Sequence, residues 1–172
     1  MSWWKTALYD TCSLITLDKL LQDRASLSRM FPNTILGLEE SFTVEQMYQD
    51  IAARIKPRVL ICTLPPPTEL AQLLSSAGLS KALSDVDTLV FATAVHFGYG
   101  VVTGDKPLAK ALQKTGVVVG NMALILQELV KTRKLKSSLA EELLQRLAGR
   151  KDFLLGIPNP TWNDLKNYTF PD

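Results

Sequence analysis

Residues 84–105, SDVDTLVFATAVHFGYGVVTGD, decide how the chain is read. Ser84 followed three residues later by Asp87 is a helix-start signature, because a hydroxyl and a carboxylate so spaced satisfy backbone N–H groups that the first turn leaves unpaired. Val86, Leu89, Val90, Thr93 and Phe97 then mark one helical face, and Ala92 and Ala94 permit close packing. Gly98 and Gly100 turn the chain, and Val101-Val-Thr-Gly reads as a buried strand that ends at Asp105.

The alternation of strand and helix extends in both directions. Upstream, residues 6–9 form a short apolar strand ending at Asp10, and SLITLDKLL follows at helical spacing. A second strand is expected at 34–38. Thr43 and Gln46 have the spacing of a capping box, which predicts a helix from about Val44 to Ile55. RVLICTL is a third strand, stopped by Pro65-Pro66-Pro67, and TELAQLLSSAG is helical up to Gly78. Downstream, KPLAKALQKTG is a helix with an early proline and a closing glycine, and VVVG is a fifth strand. Such alternation predicts an α/β domain whose sheet is mostly parallel, with helices on both faces and ligands at the carboxyl ends of the strands.

From Met122 the pattern is wholly helical and amphipathic, which predicts a helical hairpin over about 121–149 joined near 134–138. The window 131–151 carries seven basic residues against two acidic ones. One domain over 1–149 is expected, with 150–172 as a C-terminal extension packed on it. That extension is rich in Pro, Asn and aromatic residues without periodicity, so an ordered strap is expected.

A length of 172 residues suits one domain, and 47% hydrophobic against 21% charged residues excludes a disordered or tail-like chain. The net charge of +2 is too small to indicate nucleic acid by itself. Cys12 and Cys62 form no metal-type pair and sit in apolar runs, so they read as small buried hydrophobes in a reducing compartment. Asp10 and Asp18 interrupt any signal-peptide pattern, and the longest charge-free stretch, 88–104, is broken by two glycines, so a cytoplasmic protein without a membrane span is expected.

Four acids recur in comparable places. Asp10 and Asp105 end apolar strands, while Glu45 and Asp87 fall in first turns of helices. In a parallel α/β sheet these places share one edge, so the carboxylates can converge, with Asp85 as a fifth. Converging carboxylates repel unless they hold a hard cation, which points to Mg2+ or Mn2+ and to hydrolysis at phosphorus. No Lys or Arg lies between Ala82 and Asp105 to neutralise them. Each acid taken singly is equally a helix cap. His96, the one histidine, sits mid-helix among apolar residues, which leaves no Ser-His-Asp triad. The chain has no GxSxG elbow, phosphate loop or GxGxxG fingerprint. Trp3-Trp4 is a packing pair, an oligomer contact or a base-stacking platform.

In their order, YDTCS, TVEQM, SDVDTLVFATA and VVTGD resemble a PIN domain over about residues 7–120. The segment GNMALILQELVKTRKLKSSLAEELLQRL resembles the helical hairpin of one branch of bacterial PIN proteins. The resemblance implies a three-layer α/β/α fold with sheet order 3-2-1-4-5. It also implies a metal-dependent endoribonuclease that binds Mg2+ or Mn2+ and leaves 5′-phosphate products. Asp10, Glu45, Asp87 and Asp105 match the family's acidic quartet, and Asp85 matches an extra acid of the hairpin branch. Thr11, Ser13 and Thr103 fall where the family orients those carboxylates with hydroxyls. Pro107 stands where some relatives carry another acid. The expected role is the toxin of a toxin–antitoxin pair, acting on RNA as a homodimer, with a cognate antitoxin as partner. Lys131, Arg133, Lys134 and Lys136 are expected to contact the RNA backbone. Two alternatives are an inactive PIN-like module that binds protein or RNA, and a processing or flap-type nuclease that is not a toxin.

Overall fold

The computed structural model describes residues 2–45 and 47–170. After a 3-10 turn at Trp3–Thr6 the chain forms β1 (Leu8–Tyr9), α1 (Thr11–Asp23), β2 (Ile35–Gly37), α2 (Glu40–Thr43), α3 (Gln49–Ile55), β3 (Val59–Ile61) and α4 (Pro67–Ser76). It continues through α5 (Asp85–Phe97), β4 (Val101–Val102), α6 (Lys106–Gln113), β5 (Val119–Gly120), α7 (Met122–Lys131), α8 (Ser137–Gly149) and α9 (Trp162–Asn167). The strands form one parallel sheet in the order β3-β2-β1-β4-β5. β1 is central, with Leu8 opposite both Leu36 and Val101.

Successive strand residues point to opposite faces of a sheet, and the two cores follow that period. Leu8 and Val101 join Val90, Phe91, Ala94, Leu108 and Leu112 of α5 and α6. Tyr9 and Val102 join Leu14, Leu17 and Leu20 of α1 and Ile125, Leu126, Leu143 and Leu147 of α7 and α8. Helices therefore cover both faces. Each fully buried leucine contributes about 1.5–3 kcal/mol of burial, so the α1 stripe alone is a substantial part of the fold's stability.

α5 begins in the expected way: Ser84 Oγ accepts from the Asp87 N–H while Asp87 receives the Ser84 N–H. It ends at Gly98, whose φ of 71° is the left-handed cap that glycine adopts without a Cβ clash. At the end of β5, Trp3 lies so close to Gly120 that a Cβ there would stand 2.7 Å from its ring. Trp4 is buried against Phe31, so the N-terminal aromatic pair is packing and not an exposed platform.

The expected helix over 44–55 is broken. Thr43 ends α2 and its hydroxyl donates back to the Glu39 carbonyl, so it does not cap a following helix. Gln46, the other half of that capping box, lies outside the described residues. Val44 is exposed and Met47 is buried between α2, which ends at Thr43, and α3, which begins at Gln49. The cysteines also differ from expectation: Cys12 is exposed and Cys62 is half-buried. The first lies in the opening turn of α1, where helical geometry turns it away from the core that takes Leu14 and Leu17.

The hairpin of α7 and α8 forms, and the extension after it is tied down. Arg150 pairs with Asp23, and Asp152 accepts from Thr16 Oγ1 at 2.9 Å and Lys19 Nζ at 2.8 Å. Gln127 Nε2 donates to the carbonyls of Leu165, Lys166 and Tyr168. The extension also contains α9, capped by Thr161 and Asp164, which its lack of periodicity did not announce. No described helix is long and apolar enough to cross a membrane.

Candidate metal centre

Asp10 leaves β1 and caps α1, accepting the Ser13 N–H on Oδ1 at 2.7 Å. It is 2% exposed and has no ion-pair partner among the described residues. Burial pushes its carboxyl up to about 6, against the pull of hydrogen bonds from Thr103 and Ser13, and the charge of Asp87 pushes the same way as burial. A buried carboxylate so placed is stabilised by a cation.

Thr103, fully buried just beyond β4, links two of the acids. Its side chain bonds Asp10, and its Oγ1 accepts the Asp105 N–H at 2.9 Å. Asp105 caps α6 by accepting the Leu108 N–H at 2.7 Å, and burial first, then Asp87, raises its carboxyl. The other two acids are linked by Ser84, whose hydroxyl stands 2.9 Å from both Glu45 Oε1 and Asp87 Oδ2. Its single proton serves one carboxylate at a time, so the two share one neutral bridge.

Cys12 reports on all four. Although the residue as a whole is exposed, loss of solvent around the sulfur raises its thiol to about 12, and the charges of Asp10, Glu45, Asp87 and Asp105 add to the rise. Among the described residues no three of these side chains form a ready-made ligand cage. The donor set is nonetheless the kind a hard cation takes, since Mg2+ is held by one or two carboxylates with water and phosphate completing its shell.

The remaining expected residues fall in different places. Asp85 is exposed at the start of α5 and is not among the charges acting on Cys12. Ser13 bonds Asp10 through both its N–H and its side chain. Thr11 is 6% exposed and its hydroxyl has no hydrogen-bond partner among the described residues, so it does not orient a carboxylate in this arrangement. Lys131, Arg133, Lys134 and Lys136 are exposed at the joint of the hairpin. α7 starts beside the acidic edge at Met122, so Lys131 stands about 14 Å farther along its axis. His96 is held by Glu69 at 3.0 Å and takes no part in the centre.

Two features were not foreseen. Ser84 was legible as a cap but not as a bridge to Glu45, because that contact spans 39 residues. A cavity of about 370 Å3 opens beside Asp105 and is closed on its far side by the C-terminal extension, from Asp152 to Gly156 and at Tyr168 and Phe170. No sequence signal marked those residues as site-forming. Compared with protein-family models, with curated proteins and with solved structures, the chain has no match.

Proposed function

We propose that the chain is a metal-dependent endoribonuclease of the PIN type. The observation that carries this reading is the linkage of the acids in pairs, Asp10 to Asp105 through Thr103 and Glu45 to Asp87 through Ser84, together with the burial of Asp10 without a cationic partner among the described residues. The parallel order 3-2-1-4-5, which the PIN resemblance also implies, supports it.

Asp10, Asp87 and Asp105 would hold Mg2+ or Mn2+, and Thr103 keeps the first and third of these in place. The bound ion supplies Lewis acidity toward a phosphoryl oxygen and lowers the pKa of a coordinated water. Glu45 is exposed at the rim and, among the described residues, its carboxylate is tethered only through Ser84, so it would orient or deprotonate the attacking water. In-line attack then breaks the P–O3′ bond and leaves a 5′-phosphate.

Cleavage of a mixed single-stranded RNA pool with Mn2+, Mg2+ or chelator tests this, comparing the wild type with Asp87→Asn at equal concentration. Metal-dependent cutting lost in the variant is the expected result. Absence of cutting by folded wild-type protein, with no thermal shift on adding Mn2+, overturns it and leaves the acids as helix caps. Growth arrest on expression separates a toxin from a processing nuclease.

A further inference from the structure

Resting on that reading of the acidic edge, we propose that the cavity between this edge and the C-terminal extension is a subsite for one nucleotide of single-stranded RNA next to the scissile phosphate, its base stacked on Phe153. The cavity adjoins the centre: of the four acids Asp105 lines it, and beside it stand Ser13, which caps against Asp10, and Cys12. At about 370 Å3 the cavity lies at the lower end of the range for small-molecule sites, which suits one nucleotide and not a helix or a duplex.

The chemistry of the walls matches the three parts of a nucleotide. Lys106 follows Asp105 directly, lines the cavity and forms no ion pair among the described residues, so it is placed to meet a phosphate. On the extension side, Phe153 is a large aromatic left 47% exposed, and Phe170 lines the same wall. A base taken out of a single strand is held in this way, between aromatic and apolar faces. The neighbouring polar groups are engaged with one another. Thr16 donates to Asp152, and Asn121 donates to the Tyr168 hydroxyl while accepting the Leu124 N–H. The wall therefore offers stacking more than edge readout, and the subsite tolerates different bases. Because Asp152 and Gln127 anchor the extension at both ends, the wall is formed before RNA arrives.

The test uses the full chain and single-stranded RNA carrying 4-thiouridine, bound in chelator so that no metal chemistry is needed. Crosslinks within 152–156 or 168–170 are expected. Phe153→Ala should weaken RNA binding by about 5- to 100-fold with unchanged melting temperature, and Phe153→Trp should restore it. Crosslinks elsewhere with unaltered affinity in Phe153→Ala overturn the subsite. So does a change of oligomeric state in Phe153→Ala with RNA affinity unchanged, which would assign this face to self-association. The two readings fail separately. Binding and crosslinking without any Mn2+-dependent cutting removes the nuclease and keeps the subsite, whereas cutting with an unchanged KM in Phe153→Ala keeps the nuclease and removes the subsite.

Discussion

Asp10→Asn separates a carboxylate held for a cation from one that merely caps a helix. The amide oxygen of Asn can still accept the Ser13 N–H, and Asn is as good an N-cap as Asp, so capping is retained. What disappears is a charge at a position 2% exposed. Burial moves that carboxyl from 3.8 to about 6. Between about pH 4 and pH 6 the native state therefore binds more protons at this group than the unfolded chain, so stability falls as pH rises through the window and stays lower above it. Each pKa unit corresponds to about 1.4 kcal/mol, which bounds the penalty at roughly 3 kcal/mol. Loss of the hydrogen bond from Thr103 offsets part of the gain on substitution, at about 1 kcal/mol. In chelator at pH 8 the variant should thus be more stable than the wild type by about 2 kcal/mol. For a chain of this size that is a rise of about 4–8 °C in melting temperature. The rise should vanish near pH 4, where the native Asp10 is protonated and the unfolded carboxyl is about half protonated, so that little of the penalty is left. Millimolar Mn2+ should stabilise the wild type at pH 8 and leave the variant unmoved. Calorimetric melts at pH 4, 6 and 8 decide the matter. A variant less stable than the wild type by the same amount at every pH refutes the argument and makes Asp10 a cap alone.

Further outcomes follow from the same geometry. Loss of solvent raises the Cys12 thiol first and the charges of the four acids add to it, so Asp87→Asn should speed its alkylation by iodoacetamide at pH 8, with Cys62 as the internal control; an unchanged rate would mean that Asp87 does not reach it. Protons compete with the cation at Asp10, so Mn2+ affinity measured calorimetrically should be level above about pH 6 and fall up to about tenfold per unit below it. Gly120→Ala should cost about 1–3 kcal/mol in chemical denaturation, since the new Cβ would meet the Trp3 ring at 2.7 Å and Leu124 at 3.0 Å. Converting Lys131, Arg133, Lys134 and Lys136 together to Gln should flatten the salt dependence of RNA binding if these exposed cations contact phosphates, and filter binding across salt concentrations would show it.

Much of the fold was legible locally. The capping pair Ser84 and Asp87, the glycine at 98 and the apolar period of α1 each report a nearest-neighbour property, and each formed where its pattern lay. Asp10 and Asp105 were equally legible as residues that end strands and open helices. Periodicity reports which face of an element is apolar, and it does so without reference to what the face meets. The capping-box spacing of Thr43 and Gln46 was equally blind to context: α2 ends at Thr43, and the expected helix forms only from Gln49 to Ile55. An apolar run is no better a guide at Cys12, which is exposed while Leu14 and Leu17 of the same run turn inward.

Only the tertiary structure links acids that lie far apart in the chain, Asp10 with Asp105 and Glu45 with Asp87. Parallel pairing of β1 with β4 sets Tyr9 beside Val102, and this carries Thr103 to Asp10 and with it Asp105. The bridge from Ser84 to Glu45 depends on how an irregular loop settles after α2, and no spacing rule encodes that. The wall built by 152–156 and 168–170 has the same origin. Segments without regular backbone hydrogen bonding carry no period to read, and their positions are decided by side-chain anchors such as Asp152 to Lys19 and Gln127 to the carbonyls of the extension. The sequence by itself determined the elements and the residue types placed at their ends. Long-range pairing, which joins positions far apart in the chain, decided which of those ends share a site.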